Sequence, residues 1–196
     1  MYKINIAYDF DGVLCHTMPA FHQYWSEKYD WRIFDGDGRS FNMPMPPDYD
    51  MKNIHSDIVE AINLYQPYLK PHAFAMEMVR EFANRWNETP LIITARRPEN
   101  VEVTDSWLQH YLGIPYTLVT TGSEVSSSGE NKPDTIAKWG VRYFVEDRFK
   151  TCNNIKSCDQ VFMPDRPWNT HRVPLDHVMR VNNLLGVWDE VTEDNL

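Results

Sequence analysis

Short apolar runs that alternate with amphipathic helical patterns constrain this chain most. Residues 2–10 carry Ile4, Ile6, Ala7 and Tyr8 and are closed by Asp11-Gly12. Residues 90–94 (Pro-Leu-Ile-Ile-Thr), 116–120, 142–145 and 160–163 form further runs of this kind. Apolar runs this short, bounded by turn residues, read as buried strands. Between them, residues 72–86 repeat Phe74, Met78, Phe82 and Trp86 every four positions, which predicts one apolar stripe on a helix. Residues 99–112 contain Val101, Trp107, Leu108 and Leu112 and stop at Gly113, and residues 132–139 are closed by Gly140. Residues 174–185, stopped by Gly186, predict a last helix, and the tail from Asp189 is acidic and expected to fray. Strands alternating with helices predict an α/β fold: a three-layer, Rossmann-like parallel sheet covered on both faces.

One stretch breaks the alternation. Residues 17–69 hold no convincing strand but two helical patterns, 20–29 and 53–64, separated by Asp35-Gly36-Asp37-Gly38 and Met43-Pro44-Met45-Pro46-Pro47. This predicts a helical insertion at 17–69 on a core made of residues 1–16 and 70–196. Residues 123–129 read as a polar loop. Asp35-x-Asp37-Gly38 is not a calcium loop, because Arg39 and Pro46 stand where oxygen ligands are needed.

With 196 residues, 42% of them hydrophobic and 13% aromatic, the chain suits one globular core with a small insertion rather than disorder. The net charge of −9 and the absence of a basic run longer than Arg96-Arg97 argue against an extended nucleic-acid partner. Three cysteines, Cys15, Cys152 and Cys158, match no zinc or CxxC spacing and read as small buried thiols in a reducing compartment. No apolar run approaches the roughly 20 residues of a membrane helix, and the start Met-Tyr-Lys runs straight into a strand. A cytoplasmic protein with no membrane partner is expected.

The chemistry-bearing residues gather at strand ends. Asp9-x-Asp11-Gly12 closes the first strand, and ligands of open parallel sheets bind outside the C-terminal strand ends. Two carboxylates there repel unless a cation sits between them, and magnesium is the natural oxygen-seeking ion. Alone, the same residues also make a plain turn. Thr94-Ala95-Arg96 follows the second strand and offers a hydroxyl and backbone amides for a phosphate, or a simple helix cap. Lys132 opens the helix before the fourth strand, as a phosphate-reaching ammonium or a solvated lysine. Glu146-Asp147 ends that strand with a second carboxylate pair. No GxxxxGK[ST] motif occurs, so a P-loop kinase is excluded.

The order of these motifs resembles the haloacid dehalogenase (HAD) superfamily of phosphotransferases. Asp9-Phe10-Asp11-Gly12-Val13-Leu14-x-x-Thr17 is similar to its first motif, Thr94 to its second, Lys132 to its third and Glu146-Asp147 to its fourth. The insertion at 17–69 resembles the helical cap of its first cap class. Within the superfamily the chain resembles 5′(3′)-deoxyribonucleotidases and their bacterial and phage relatives. The features that carry this are Asn131-Lys132-Pro133-Asp134-Thr135 leading to Val145-Glu146-Asp147, the aromatic-rich insertion, and Met163-Pro164-Asp165-Arg166-Pro167-Trp168-Asn169. Ala95 in place of a serine and Glu146 in place of an aspartate depart from that pattern.

The resemblance implies a magnesium-dependent phosphatase acting on nucleoside monophosphates. It implies Asp9 as nucleophile, Asp11 as general acid and base, and Thr94, Ala95 and Lys132 as phosphate ligands. Magnesium would be held by the Asp9 carboxylate, the Asp11 backbone carbonyl and Asp147, with Glu146 reaching a metal-bound water or Lys132. Phe21, Trp25, Trp31, Phe34, Phe41 and Tyr65 are candidates to stack on a base, with packing inside the insertion as the alternative for each; Phe21 and Trp25 stand foremost for stacking. Arg96 is a candidate for an anionic substrate or a surface salt bridge, and Arg166 for the phosphate or for ordering its loop. By analogy with related nucleotidases a homodimer is expected. The alternatives are another small phosphomonoester, a polynucleotide 3′-phosphate, and a non-catalytic phospho-ligand module.

Overall fold

The computed structural model describes residues 4–30, 48–122 and 131–193. Six strands form one parallel sheet in the order β3-β2-β1-β4-β5-β6. They are β1 (Ile4–Tyr8), β2 (Leu91–Thr94), β3 (Thr117–Thr120), β4 (Val141–Val145), β5 (Gln160–Pro164) and β6 (Val178–Val181). The helices are α1 (Met18–Tyr29), α2 (Ile54–Tyr65), α3 (Ala75–Trp86), α4 (Val101–Leu112), α5 (Lys132–Trp139), α6 (Phe149–Asn154) and α7 (Leu184–Glu193). None is long and apolar enough to cross a membrane.

Alternation along each strand sends side chains to two separate cores. Ile6, Tyr8, Ile92, Tyr143, Val145 and Phe162 pack with residues of α3, α4 and α7. Ala7, Leu91, Ile93, Phe144, Val161 and Met163 pack with Ile136 of α5 and Cys152 of α6. The three-layer α/β architecture therefore stands as expected. The strand order reverses between β1 and its neighbours β2 and β4, and this switch point puts the ends of β1, β2 and β4 side by side. The cysteines are free thiols; Cys15 and Cys152 are buried as expected, whereas Cys158 is only half-buried. Gly113 and Gly140 end α4 and α5 in the left-handed conformation, as the stop signals require.

Three expectations need correction. Residues 174–185 are not a helix: β6 occupies part of them, and α7 starts at Leu184 and runs through Gly186. Val178 and Val181 suit either period, and pairing with β5 (Val161↔Val178, Phe162↔Met179) decides for the strand. Residues 189–193 of the acidic tail continue α7, because Val187 and Val191 are buried in the core. Phe74 lies before α3 rather than on its stripe, with φ +62° and 48% exposure, while Met78 and Phe82 are buried.

Between β1 and α3 the described residues contain helices and no strand pairing within the sheet. The chain leaves and returns through adjacent crossing points, where His16 donates to the Lys70 carbonyl and His72 to that of Leu14. α1 and α2 share a small core of Tyr24, Trp25 and Ala61. Above it, Asp57 of α2 is buried and accepts from Tyr24, Tyr29 and Tyr49 hydroxyls and from the Lys28 ammonium, which saturates both oxygens. A buried carboxylate is tolerated only with such full pairing. Trp31, Phe34, Phe41, the Asp35–Gly38 turn, the proline-rich stretch and residues 123–129 lie outside the described residues.

Candidate active site

The site is built from the ends of β1, β2 and β4 and the start of α5. Asp9 directly follows β1, and its amide donates to the Val145 carbonyl of β4 at 2.8 Å. This stitches the first motif to the fourth. Glu146 and Asp147 follow β4, and Lys132 is the first residue of α5. All four side chains are buried, with Asp9 6% and Glu146 1% exposed. The Lys132 ammonium lies 2.8 Å from Asp9 Oδ1 and 2.8 Å from Glu146 Oε2. The solvated-lysine alternative therefore fails. Glu146 reaches Lys132, one of its two expected contacts, and its other oxygen accepts from the Arg148 amide at 2.9 Å.

Asp9, Glu146 and Asp147 each offer an oxygen within 4.8 Å of the others. Three buried carboxylates face one ammonium, so formal negative charge is in excess. Burial, then the neighbouring Glu146 charge, pushes the Asp9 and Asp147 carboxyls well above the usual range. Burial lowers Lys132, but Asp9 and Glu146 outweigh it and hold the ammonium charged. An all-oxygen, charge-deficient pocket of this kind fits a hard divalent cation such as magnesium. Among the described residues the acidic group contains Glu146 and not the Asp11 side chain.

Gly12 explains how the two acidic strand ends approach. Its φ is +75°, and a Cβ there would meet Asp147 Oδ2 at 2.2 Å. Only glycine both adopts that turn and leaves room for the carboxylate.

Asp11 points elsewhere. Arg96 grips it through Nε to Oδ2 at 3.0 Å and Nη2 to Oδ1 at 2.7 Å, and the Thr17 hydroxyl also donates to it. Arg96 also reaches Gln66 Oε1 at 2.6 Å and Thr104 Oγ1 at 2.8 Å, and lies over the Phe10 ring at 4.4 Å. Burial raises the Asp11 carboxyl, but the Arg96 charge and hydrogen bonds outweigh it and hold it below the usual range. Arg96 is 4% exposed, which corrects the surface salt-bridge reading, and most of its donors go to Asp11, Thr104 and Gln66.

Thr94 is fully buried. Its hydroxyl accepts from the Arg96 amide at 3.2 Å, so it shapes the turn in which Ala95 is half-exposed. Arg166 donates from Nε to the Gly12 carbonyl at 2.7 Å and from Nη1 to the Asp165 carbonyl at 2.9 Å, which orders its loop beside the first motif. Trp25 has no exposed surface and packs in the insertion core, so it presents no face to a ligand. Phe21 is half-buried, edge-on to Trp25 at 6.3 Å. Trp168, singled out only as part of a loop sequence, donates its indole N–H to Asp147 Oδ2 at 2.8 Å. Gln66 and Thr104 carried no functional signal in the sequence.

No known family model matches the chain. No curated protein matches it either. Solved structures do. The chain is similar to CbbY from Rhodobacter sphaeroides in complex with phosphate, with 14% identity over 93% of this chain and 95% of that one, at a TM-score of 0.62. It is similar to a haloacid dehalogenase-like protein from Agrobacterium tumefaciens, with 11% identity over 100% of both chains and a TM-score of 0.62. A HAD-superfamily hydrolase of subfamily IA from Geobacter sulfurreducens shares 16% identity over 96% of this chain and 100% of that one, at a TM-score of 0.56. The six-stranded parallel sheet with its acidic strand ends thus has the fold of the haloacid dehalogenase superfamily hydrolases.

Proposed function

We propose that the chain is a magnesium-dependent phosphomonoester hydrolase acting through an aspartyl-phosphate on Asp9, with nucleoside monophosphates as its substrates. The observation that carries this reading is the buried set Asp9, Lys132, Glu146 and Asp147 at the switch point of the sheet. Among fold neighbours, CbbY was solved with phosphate, and a mutant of it with xylulose-(1,5)bisphosphate. Both are small phosphorylated ligands, which agrees with the class of substrate. The nucleotide preference rests on the resemblance of the Asn131–Thr135 and Met163–Asn169 segments to deoxyribonucleotidases.

An Asp9 oxygen attacks phosphorus, and the bond from phosphorus to the leaving oxygen breaks. The electron pair goes to that oxygen, which takes its proton from Asp11. Water then attacks the aspartyl-phosphate, Asp11 accepts its proton, and the bond between Asp9 and phosphorus breaks to release phosphate. Lys132 offsets charge on the phosphoryl oxygens, and the turn at Thr94-Ala95 holds them with backbone amides. Asp9, Asp147 and the Asp11 carbonyl would hold magnesium, which when bound draws charge from the phosphoryl group. Arg96 favours the ionised Asp11, the form the second half-reaction requires.

Residues 17–69 serve as a cap that closes over the strand ends, hinged where 14–16 and 70–72 cross. Phe21, half-buried on α1, is its candidate aromatic for a base. A homodimer and a cytoplasmic location complete the proposal. Phosphate release from nucleotides and sugar phosphates, with magnesium or with EDTA, tests it. Magnesium-dependent release from nucleoside monophosphates is expected. Release from sugar phosphates alone would overturn the nucleotide assignment, and release unaffected by EDTA the metal.

A further inference from the structure

The turn after β5 contains a device that the motif order does not account for. Asn169 is fully buried and ties three points together. Its Nδ2 donates to the Asp147 carbonyl at 2.8 Å and to the Pro164 carbonyl at 2.9 Å, and its Oδ1 accepts from the Arg166 amide at 3.0 Å. Arg180 of β6 clamps the turn from outside through the Asp165 carboxylate and the Asn169 carbonyl. The turn is thereby fixed to the same backbone that carries Asp147.

On this platform the Trp168 indole N–H points at Asp147 Oδ2, 2.8 Å away. The backbone of Gly12 closes the same carboxylate from another side, since even a Cβ there would lie 2.2 Å from Oδ2. A carboxylate is otherwise free to rotate and to present either oxygen. Here Oδ2 accepts from the indole, which fixes the rotation of a carboxylate that offers an oxygen within 4.8 Å of oxygens of Asp9 and Glu146.

We infer that Trp168 is a positioning residue for the metal: its indole N–H pins Asp147 so that one defined oxygen is presented to the cation. This rests on the magnesium site proposed above. Hydrogen-bond partners of metal ligands of this sort are worth about 10–100-fold in metal affinity. Indole is an N–H donor with no acceptor role, so it can only favour the ionised, ligating carboxylate.

Magnesium titration of the metal-free protein by calorimetry, wild type against Trp168→Phe, tests the inference. Phenylalanine keeps an aromatic side chain and removes the N–H. The expected result is a dissociation constant for magnesium raised about 10–100-fold, with the melting temperature of the metal-free protein unchanged. A merely structural Trp168 would move the melting temperature and leave the affinity alone. A second measurement needs no variant: in ¹⁵N spectra of the wild type, one of the seven tryptophan indole N–H signals should shift on adding magnesium. Equal magnesium affinity in Trp168→Phe, or indole signals indifferent to bound magnesium, would overturn the role of Trp168 alone. A wild type that binds no magnesium would overturn the metal site and this inference together.

Discussion

Asp9 and Asp11 stand two residues apart and live in opposite electrostatic settings. Asp9 is buried among Glu146 and Asp147, with one ammonium to answer three carboxylates. Asp11 faces a guanidinium that gives it three hydrogen bonds, with a hydroxyl adding a fourth. Burial drives the first carboxyl up, whereas Arg96 overcomes burial and drives the second down. Two titratable groups pushed apart by their surroundings are the usual sign of divided roles. Asp9 calls for a cation and for a phosphoryl group that needs a nucleophile. Asp11 is held as a proton acceptor, so giving a proton to a leaving group requires that Arg96 loosen its grip.

Substitutions separate the two settings. Asp9→Asn should lose at least about 10⁴-fold in kcat, because no covalent intermediate forms. Near wild-type hydrolysis of p-nitrophenyl phosphate by this variant would remove the nucleophile. In the first turnover, Asp11→Asn should release a poor leaving group on the order of 10²–10⁴-fold more slowly, with a smaller loss on aryl phosphates, whose leaving oxygen needs no proton. Equal losses on both classes would mean that Asp11 does not act as an acid.

Arg96→Met should leave activity measurable but lower stability, by about 2–3 kcal/mol near neutral pH. This is trimmed from the roughly 3–5 kcal/mol of a fully buried pair, since the Asp11 side chain is 33% exposed. The sign with pH follows from the lowered Asp11 carboxyl. The pair stabilises the wild type above the ordinary carboxylate range and loses that contribution as pH falls through the folded-state value. The gap between wild type and Arg96→Met should therefore close in acid. Denaturant melts at several pH values check this, and a gap that widens in acid would contradict the ion pair. The smallest effect belongs to Trp25→Phe, which should leave the Michaelis constant for nucleotides unchanged because the indole has no exposed surface.

Where local pattern and tertiary need agree, the sequence was readable. β1, β2, β4 and β5 are apolar runs buried on both faces, and their ends carry Asp9, Thr94, Glu146 and Asp147 to one edge, as the motif order implied. Val178–Val181 was not readable, since four residues satisfy both a helical and a strand period and only pairing with β5 separates them. The Asp11–Arg96 pair was invisible for a different reason. It joins positions 85 residues apart, and its supports, Gln66 and Thr104, come from elements with no motif of their own. Trp168 was legible as a loop residue, but its bond to Asp147 depends on the Asn169 platform. Trp25 followed the packing alternative, because an aromatic on α1 serves the α1–α2 core as readily as a ligand.

The division of roles has one direct test. Asp11→Asn, mixed with p-nitrophenyl phosphate and magnesium and quenched in acid, should retain one phosphoryl group on Asp9, seen by intact mass and located by peptide mapping. Its good leaving group departs unaided, while the base for the hydrolytic half is missing. Asp9→Asn should retain none. A phosphoryl group found on Asp9→Asn, or none on Asp11→Asn while it still releases p-nitrophenol, would contradict the account.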